Sequence, residues 1–221
     1  MRGVAQAFCD VSARIAHAAK RSDRDPSDIC LVAVSKGMPR EVVNEAIAAG
    51  IEVFGENRVQ EAVDKFSDQK GGCALHLIGS LQTNKVSKAV GFFDLIHSVD
   101  SIRLAEMISK EAVRRSIVQP VLVQVNVGDE TTKGGVSVSD APWLVEAMRQ
   151  LSGLKLLGLM AIPPRVSDPE SARPYFAALR KLGLSLGLYQ FSIGMSGDFE
   201  VAIEEGATWV RIGTALFGLR G

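Results

Sequence analysis

The sequence predicts a (β/α)8 barrel of the TIM type, preceded by one extra N-terminal helix. Short apolar runs alternate with helical patterns along the chain, which is typical of a parallel sheet because parallel neighbours need crossover connections. Eight such runs can be counted, the number that closes this barrel, and 221 residues fall within its size range. No stretch rich in proline, glycine or serine divides the chain, so we expect a single domain over residues 1–221. A doubly wound open sheet is the alternative, because one boundary error could hide or invent a strand.

The extra helix is predicted from apolar residues that recur at helical spacing near the N-terminus, namely Val4, Phe8, Val11 and Ile15. Charged residues interrupt the same segment, so it lacks the apolar core of a secretory signal. We interpret it as an amphipathic helix packed on the domain. A mitochondrial transit peptide is the alternative, and the cytoplasm is the compartment that we expect.

Each predicted strand is a short apolar run, and a helical pattern follows most of them. The strands are expected at 29–35, 52–55, 75–79, 95–99, 120–127, 155–162, 190–195 and 208–213. The helices are expected at 39–50, 57–66, 83–90, 101–115, 139–151, 168–182 and 198–206. Pro39 suits a first helical position, and Ser101 and Asp168 suit helix starts. Gly50 and Gly206 suit helix ends.

The composition excludes several classes of function. Lysine plus arginine (25) balance aspartate plus glutamate (25), so there is no basic field for nucleic acid and no support for membrane-surface binding. No apolar run approaches the roughly 18 residues of a membrane helix. Cys9, Cys30 and Cys73 are odd in number and lack CxxC spacing, which indicates a reducing compartment and argues against a metal cluster.

Lys36 directly follows the run 29–35, in which six of seven residues are apolar. Such a run is typical of a strand buried on both faces, and its last side chain reaches the carboxyl end of the sheet, where α/β folds bind ligands. An amine held there can act as a nucleophile toward an aldehyde, so Schiff-base chemistry is the first hypothesis. The alternative is a lysine whose ammonium simply reaches water from a loop.

Two segments near the C-terminus predict a phosphate site. Ser196 and Gly197 come directly before a predicted helix, where free N–H groups and the positive end of the helix dipole point outward. Gly213 and Thr214 follow the eighth strand, and the loops after strands seven and eight commonly bind phosphate in this fold. The alternative is that Asp198 and Ser196 only cap a helix and Gly213 only relieves packing at a strand end.

Arg211 lies two residues before Gly213 on the same strand, so both have the same facing and Arg211 can point into the barrel mouth. A buried guanidinium needs a partner. Together with an amine on Lys36 and a phosphate site, it suggests pyridoxal 5'-phosphate as the ligand, with the ring nitrogen facing Arg211. The alternative is that Arg211 pairs with a core acid such as Glu56.

Six segments, in order, also carry a family resemblance: LVAVSK, FGENRVQE, LHLIGSLQTNK, GLMAIPP, ARPYFAALRKL and GMSGDFEVAIEEGATWVRIGTALFG. The sequence resembles the pyridoxal phosphate homeostasis proteins, a family similar to the barrel domain of alanine racemase. The resemblance implies a single-domain barrel, an internal aldimine on Lys36 and phosphate contacts from the GMS and IGT motifs. It also implies that Asn57 and His76 line the cofactor cleft and that Arg211 faces the pyridine nitrogen.

Other conspicuous side chains are expected to be structural or solvated. His17 is predicted on the surface of the first helix and His97 in the core, and with His76 they show no metal-ligand spacing. Lys133 is expected to be solvated in a glycine-flanked loop, with a role in passing on the cofactor as the alternative.

The sequence argues against enzymatic turnover. A guanidinium at the pyridine nitrogen keeps that nitrogen unprotonated, so the ring is a weaker electron sink for carbanions. In the racemases, a tyrosine from an additional β-domain supplies a second acid/base. This chain stops at Gly221, and Tyr175 and Tyr189, its only two tyrosines, are predicted away from the carboxyl face.

We therefore expect a monomeric cofactor-binding protein without catalytic residues. It would hold pyridoxal phosphate, keep the free aldehyde low and release the cofactor, with apo forms of pyridoxal phosphate enzymes as candidate partners. The alternative is a pyridoxal phosphate-dependent amino-acid racemase or decarboxylase, whose acid comes from a partner chain or from a residue interpreted as structural.

Overall fold

The computed structural model describes residues 3–67, 71–130 and 133–218. Thr131 and Thr132 of the segment GDETTKGG lie outside these ranges, as does Gly221. The strands are β1 Cys30–Val34, β2 Val53–Glu56, β3 Ala74–Leu77, β4 Leu95–Val99, β5 Gln119–Asn126, β6 Val136–Ser137, β7 Leu154–Met160, β8 Gln190–Met195 and β9 Trp209–Ile212. The α-helices are α1 Val4–Arg21, α2 Arg40–Ala48, α3 Val59–Phe66, α4 Val86–Ala89, α5 Ile102–Arg114, α6 Ala141–Arg149, α7 Arg173–Ser185, α8 Phe199–Glu204 and α9 Thr214–Phe217. Short 3-10 helices lie at Pro26–Asp28, Thr83–Lys85 and Pro169–Ala172.

Eight of the strands form a closed parallel ring. Their order is β4-β3-β2-β1-β9-β8-β7-β5, and the pairing of β4 with β5 closes it. In register, Cys30 of β1 lies opposite Trp209 of β9, and Val34 lies opposite Gly55 of β2. The predicted (β/α)8 barrel is confirmed. The open-sheet alternative is wrong, because an open sheet would leave β4 and β5 unpaired with each other.

Strand β6 is an addition that the sequence did not predict. It pairs in parallel with the end of β5, outside the ring, so that Val136 lies opposite Val125. Gly135 precedes it with a positive φ of 122°, and a Cβ there would lie 2.7 Å from the backbone nitrogen of Asn126. A glycine is therefore required for this close approach. Two residues are too few to show a strand period, which is why the pattern was missed.

Helix α1 covers the barrel wall beside α8 and α9. Its buried face follows the predicted helical spacing: Ala7, Val11, Ile15, Ala18 and Ala19. Arg14 pairs with Glu200 at 3.0 Å, and its guanidinium lies 4.6 Å from the ring centre of Phe199. Within the described residues, none of the helices has the length and the apolar character needed to cross a bilayer.

Most predicted helices are present, with shifted starts. Pro39 precedes α2 instead of beginning it, because its extended backbone places the first helical residue at Arg40. The side chain of Asp168 accepts a hydrogen bond from the N–H of Glu170, but this cap opens a 3-10 turn, and α7 begins only at Arg173. The predicted helix 83–90 likewise divides into a 3-10 turn and α4. Helix α9 was not predicted, because its four residues are too few to show a helical period.

Candidate functional site

A cavity of about 300 Å³ opens at the carboxyl end of the barrel strands, and we call it the carboxyl-end cavity. It brings together seven of the eight residues that the sequence predicts for cofactor binding: Lys36, Asn57, Ser196, Gly197, Arg211, Gly213 and Thr214. The rest of its lining is apolar: Val34, Ile78, Ile162 and Met195. The convergence follows from the topology, because the ends of β1, β2, β8 and β9 meet at one rim.

Lys36 lies two residues beyond the end of β1. Ser35 is fully buried, whereas Lys36 is half-buried and lines the carboxyl-end cavity. Gly37 has φ of 71°, in the left-handed region that glycine adopts without strain. The chain therefore turns sharply after Lys36 and leaves its side chain at the mouth of the barrel.

Arg211 lies in the barrel interior with 3% of its surface exposed. Its Nη1 donates hydrogen bonds to the carbonyl oxygen and the hydroxyl of Ser192, both at 2.6 Å, and its Nη2 donates to the carbonyl oxygen of Ala161 at 3.0 Å. These bonds use three of the five guanidinium N–H groups. Burial lowers the pKa of Arg211 to about 10, so the group stays protonated near neutral pH. The cation is thus held rigidly at the wall of the carboxyl-end cavity, with N–H groups to spare.

The alternative that Arg211 pairs with Glu56 is wrong. Glu56 Oε1 accepts hydrogen bonds from Ser35 Oγ at 2.7 Å and from Lys65 Nζ at 2.6 Å. Arg211 instead satisfies its charge with three neutral oxygens from β8 and the residue after β7. An arginine held by neutral acceptors keeps its full positive charge toward the cavity.

His76 has a different environment from the other predicted residues. Among the described residues, it is absent from the lining of the carboxyl-end cavity, and 6% of its surface is exposed. Its Nδ1 lies 3.0 Å from Nε2 of the fully buried His97, whose Nδ1 lies 2.8 Å from Ser192 Oγ. His76 is therefore connected to Arg211 through His97 and Ser192. Its direct contact with a cofactor stays a prediction.

Ser192 Oγ accepts from Arg211, because a guanidinium can only donate. The same oxygen bonds His97 Nδ1, and His97 Nε2 bonds His76 Nδ1; the two histidine tautomers set the direction of these two bonds. Burial lowers the pKa of His76 to about 4 and that of His97 well below its usual range. Both histidines are therefore neutral near pH 7.

These two histidines predict a loss of stability in acid. In the unfolded chain a histidine takes up a proton at about pH 6.5, whereas the folded protein excludes that proton until a lower pH. The unfolded state then binds more protons, so the free energy of unfolding falls as the pH falls below about 6.5 and levels off only below about 4 for His76. Between neutral pH and about pH 5, His76 alone should account for about 2 kcal/mol, measured by urea unfolding. His76→Gln should flatten this pH dependence. The control His17→Gln, at an exposed site, should leave it as in the wild type. A wild-type pH dependence in His76→Gln would contradict the prediction.

The loops after β8 and β9 are joined through Ser196. Its Oγ accepts hydrogen bonds from the backbone N–H groups of Gly213 and Ala215, each at 3.2 Å. The two amides thus converge on one oxygen atom. A Cβ added to Gly197 would meet no atom within 4 Å, so the fold does not need glycine there, and a side chain would project into open space at the site. The two loops that the sequence predicts for phosphate binding are thus bonded to each other at the carboxyl-end cavity.

Asp198 does not cap α8 with its side chain, contrary to the capping alternative. Its Oδ1 accepts a hydrogen bond from the N–H of Met195 at 2.6 Å, which stabilises the turn between β8 and α8. Burial raises the pKa of Asp198, while the nearby charge of Arg211 partly offsets that effect. Asp198 therefore shapes the loop that carries Ser196 and Gly197.

Asn57 lies half-buried after β2 and lines the carboxyl-end cavity. Its Oδ1 is buried and accepts no hydrogen bond from any described residue. A Cβ on Gly79, in the loop after β3, would lie 2.2 Å from the carbonyl oxygen of Asn57, so only glycine fits there. The unpartnered amide oxygen of Asn57 is thus held in place by close backbone packing and can accept a hydrogen bond from a ligand.

Lys133 was expected to be solvated, and 27% of its side chain is exposed, but its amine also has protein partners. Its Nζ donates to the carbonyl oxygen of Pro163 at 2.9 Å and pairs with Glu130. Both bonds fix it beside the loop after β7, next to the carboxyl-end cavity but outside its lining.

Sequence reasoning missed two residues that organise the site. Ser192 bonds both Arg211 and His97, and a serine within the otherwise apolar run FSIGM was a signal that could have found it. Lys65 bonds Glu56 beneath the rim of the site, and its position in an ordinary amphipathic helix gave no such signal.

Comparisons with known proteins match nearly the whole chain. Residues 12–221 match the family described as alanine racemase, N-terminal domain. A pyridoxal phosphate homeostasis protein of Aquifex aeolicus is 48% identical over 214 residues, which cover 94% of each chain. The protein of the same description from Pseudomonas aeruginosa is 44% identical and covers 100% of this chain and 97% of its own.

Solved structures show the same fold. PipY of Synechococcus elongatus, crystallised with PLP bound, is 36% identical with a TM-score of 0.84, covering 97% of this chain and 100% of its own. An alanine racemase of Clostridium difficile superposes with a TM-score of 0.78 at 13% identity, covering 99% of this chain and 57% of its own, and shows the fold alone.

Proposed function

Since this chain belongs to the family of pyridoxal phosphate homeostasis proteins, we propose that it binds pyridoxal 5'-phosphate in the carboxyl-end cavity and serves in keeping and delivering this cofactor. One observation supports this most strongly. An amine on Lys36, the amides that converge near Ser196 and the cation of Arg211 all border one cavity of about 300 Å³. These three groups match the three recognisable parts of the cofactor: its aldehyde, its phosphate and its ring nitrogen. The residues present therefore fit the group.

Lys36 would hold the cofactor covalently. When bound, pyridoxal phosphate supplies an aldehyde that condenses reversibly with primary amines. Lys36 presents such an amine at the rim of the barrel, where its turn is set by Ser35 and Gly37. Because the condensation is reversible, a second amine can take the cofactor over, which suits storage and delivery.

Ser196, Gly197, Gly213 and Thr214 would hold the phosphate. The amides of Gly213 and Ala215 already converge on one oxygen, and Gly197 leaves open space where a Cβ would project. The hydroxyl of Ser196 can donate its own hydrogen while it accepts from both amides. Phosphate oxygens are strong acceptors that such donors favour.

Arg211 would face the ring nitrogen, and Asn57 would line the cofactor. Arg211 keeps its proton near neutral pH, so it donates to the nitrogen and does not protonate it. An unprotonated ring withdraws electrons weakly and therefore disfavours carbanion chemistry. This favours a carrier over an enzyme.

A second acid/base is also missing from the described lining of the carboxyl-end cavity. Its ionisable side chains are Lys36 and Arg211. Tyr175 lies in α7, and Tyr189, 68% exposed, lies just ahead of β8 at the amino end of the barrel. We therefore propose that the protein has no catalytic residues of its own.

We further propose that it acts in the cytoplasm as a monomer and passes the cofactor to apo forms of pyridoxal phosphate enzymes. The balanced charge of the chain offers no basic field that would direct it to nucleic acid. Delivery is tested by adding dialysed holoprotein to the apo form of a pyridoxal phosphate enzyme and measuring the enzyme activity that is restored. Transfer no faster than from free cofactor at the same concentration would contradict it.

Exchange of amino-acid α-protons in deuterated water tests the absence of catalysis. The wild-type protein with cofactor should exchange α-protons at a negligible rate, because it has a weak electron sink and no second acid/base. Arg211→Glu should let the ring nitrogen take a proton and raise the exchange rate modestly, while Lys36 still retains the cofactor. Arg103→Glu, the same charge change at an exposed site on α5, should have no effect. Exchange by the wild type at about 1 per second or faster would favour a racemase or decarboxylase instead.

A further inference from the structure

An ionic cluster built around one fully buried carboxylate lies beside the turn that carries Lys36. We call Glu56, Lys65 and Glu61 the turn cluster. Glu56 ends β2 and is fully buried, whereas Glu61 and Lys65 lie one helical turn apart on α3. Lys65 Nζ lies 2.6 Å from Glu56 Oε1 and 3.2 Å from Glu61 Oε1, and 7% of the Lys65 side chain is exposed. All three side chains lie outside the lining of the carboxyl-end cavity.

The turn cluster bonds the residues on both sides of Lys36. Before it, the carbonyl oxygen of Ser35 accepts from Lys65 Nζ at 2.8 Å, and Ser35 Oγ donates to Glu56 Oε1 at 2.7 Å. After it, the N–H of Gly37 donates to Glu61 Oε1. The turn around Lys36 is thus tied to β2 and α3 at each end, although Lys36 itself belongs to the loop after β1.

Stability alone is a poor explanation for the turn cluster. Taking a charged side chain out of water costs on the order of several kcal/mol, and apolar replacements of a buried ion pair often stabilise a protein equally well or better. Glu56 adds to this cost, because its Oε2 is buried and accepts no hydrogen bond from any described residue. Burial accordingly raises the pKa of Glu56, against the effect of Lys65 and Ser35. What the ionic groups provide, and apolar groups would not, is directional bonding to the backbone on both sides of Lys36.

We propose that Glu56, Lys65 and Glu61 are positioning residues, which hold the turn 35–37 and thereby fix the direction in which Lys36 presents its amine to the carboxyl-end cavity. The inference rests on the proposed function for the identity of the aldehyde. It makes the rate at which Lys36 reacts depend on residues that contact neither the amine nor the cofactor.

Two variants with opposite charge changes separate position from electrostatics. Lys65→Met removes a positive charge and the donor to Ser35, whereas Glu61→Met removes a negative charge and the acceptor of the Gly37 N–H, and both keep a similar side-chain length. Each breaks one tie to the turn 35–37. The control is Lys88→Met, at an exposed lysine of α4 that bonds Gln60. The probe is pyridoxal, which lacks the phosphate, trapped with borohydride and measured on each lysine peptide by mass spectrometry.

Both turn-cluster variants should label Lys36 about tenfold more slowly than the wild type, because a small displacement of a reacting group costs this much or more. Lys88→Met should label Lys36 at the wild-type rate. The apparent affinity for inorganic phosphate, measured by competition with pyridoxal phosphate, should stay the same in all variants. The proposed phosphate site lies in the loops after β8 and β9, and none of its hydrogen bonds among the described residues reaches the turn cluster.

Two results would overturn the inference. Opposite changes in the Lys36 rate in the two variants would show an effect of charge alone, and unchanged rates with a lower free energy of unfolding would show a structural role alone. If Lys65→Met does not fold, Glu61→Met decides, since the Glu61 side chain is 31% exposed and its loss is milder. Failure of the proposed function has a different signature: wild-type protein would then trap pyridoxal phosphate on Lys36 no faster than on Lys88.

Discussion

Replacing Lys36 by alanine is expected to abolish covalent retention of pyridoxal phosphate. Within the described lining of the carboxyl-end cavity, Lys36 carries the only primary amine. Wild-type protein incubated with cofactor and reduced with borohydride should therefore carry its label on the peptide that contains Lys36. In Lys36→Ala, total labelling should slow by roughly a hundredfold, to the rate of surface lysines, because a positioned amine reacts as if at high local concentration.

The Lys36 experiment has two matched controls. Lys133→Ala removes an amine adjacent to the cavity and Lys85→Ala removes one from the loop after β3, and both variants should label like the wild type. Lys36→Ala should still bind pyridoxal phosphate reversibly, because the loops after β8 and β9 are untouched. Recovery of the wild-type label mainly on Lys133 or Lys85 would refute the assignment of Lys36.

Replacing Gly213 by leucine is expected to weaken pyridoxal phosphate about a hundredfold while unphosphorylated pyridoxal loses little, since charge-assisted hydrogen bonds to the phosphate are lost. A Cβ on Gly213 would lie 3.4 Å from the Cβ of Val34, so the first carbon fits, and we expect the rest of the side chain to crowd the proposed phosphate site. Gly213 has φ of −114°, outside the left-handed region that favours glycine. The comparison of the two ligands by equilibrium titration isolates the phosphate.

Gly197→Ala is the milder version of the same test, and Gly3→Ala is its control. A Cβ at either position would meet no atom within 4 Å, but Gly3 precedes α1 whereas Gly197 borders the carboxyl-end cavity. Gly197→Ala should weaken the phosphorylated ligand selectively, and Gly3→Ala should weaken neither. Equal losses for pyridoxal phosphate and pyridoxal in Gly213→Leu would show that the phosphate binds elsewhere.

The residues that the sequence placed correctly at the cavity share one property: each follows the end of a strand. Lys36 comes after β1, Asn57 after β2, Ser196 after β8 and Gly213 after β9. In a closed parallel barrel all strand ends of one polarity meet at one rim, so order along the chain is enough to bring such residues together. Arg211 was also predicted at the cavity, because residues two apart on a strand, such as Arg211 and Gly213, point to the same face of the sheet.

The residues that the sequence did not place depend on which side chains face each other across the barrel. His76 was also predicted to line the cavity, but its ring bonds His97. It is connected to Arg211 through His97 and Ser192. A shift of one residue in strand register turns every side chain of that strand to the opposite face of the sheet. A strand as short as β3 has too few residues for the sequence to reveal its register.

The sequence by itself determined the barrel, the eight strands of its ring, the extra helix and the rim on which Lys36 and the loops after β8 and β9 lie. These follow from local periodicity and from the short connections that parallel strands require. Only the tertiary structure decided that Arg211 rests on Ser192 and Ala161 and that Glu56 pairs with Lys65 beside the turn of Lys36. The physical reason is that such partners come from elements distant in sequence. Whether their side chains point toward each other is set by the register and closure of the whole barrel.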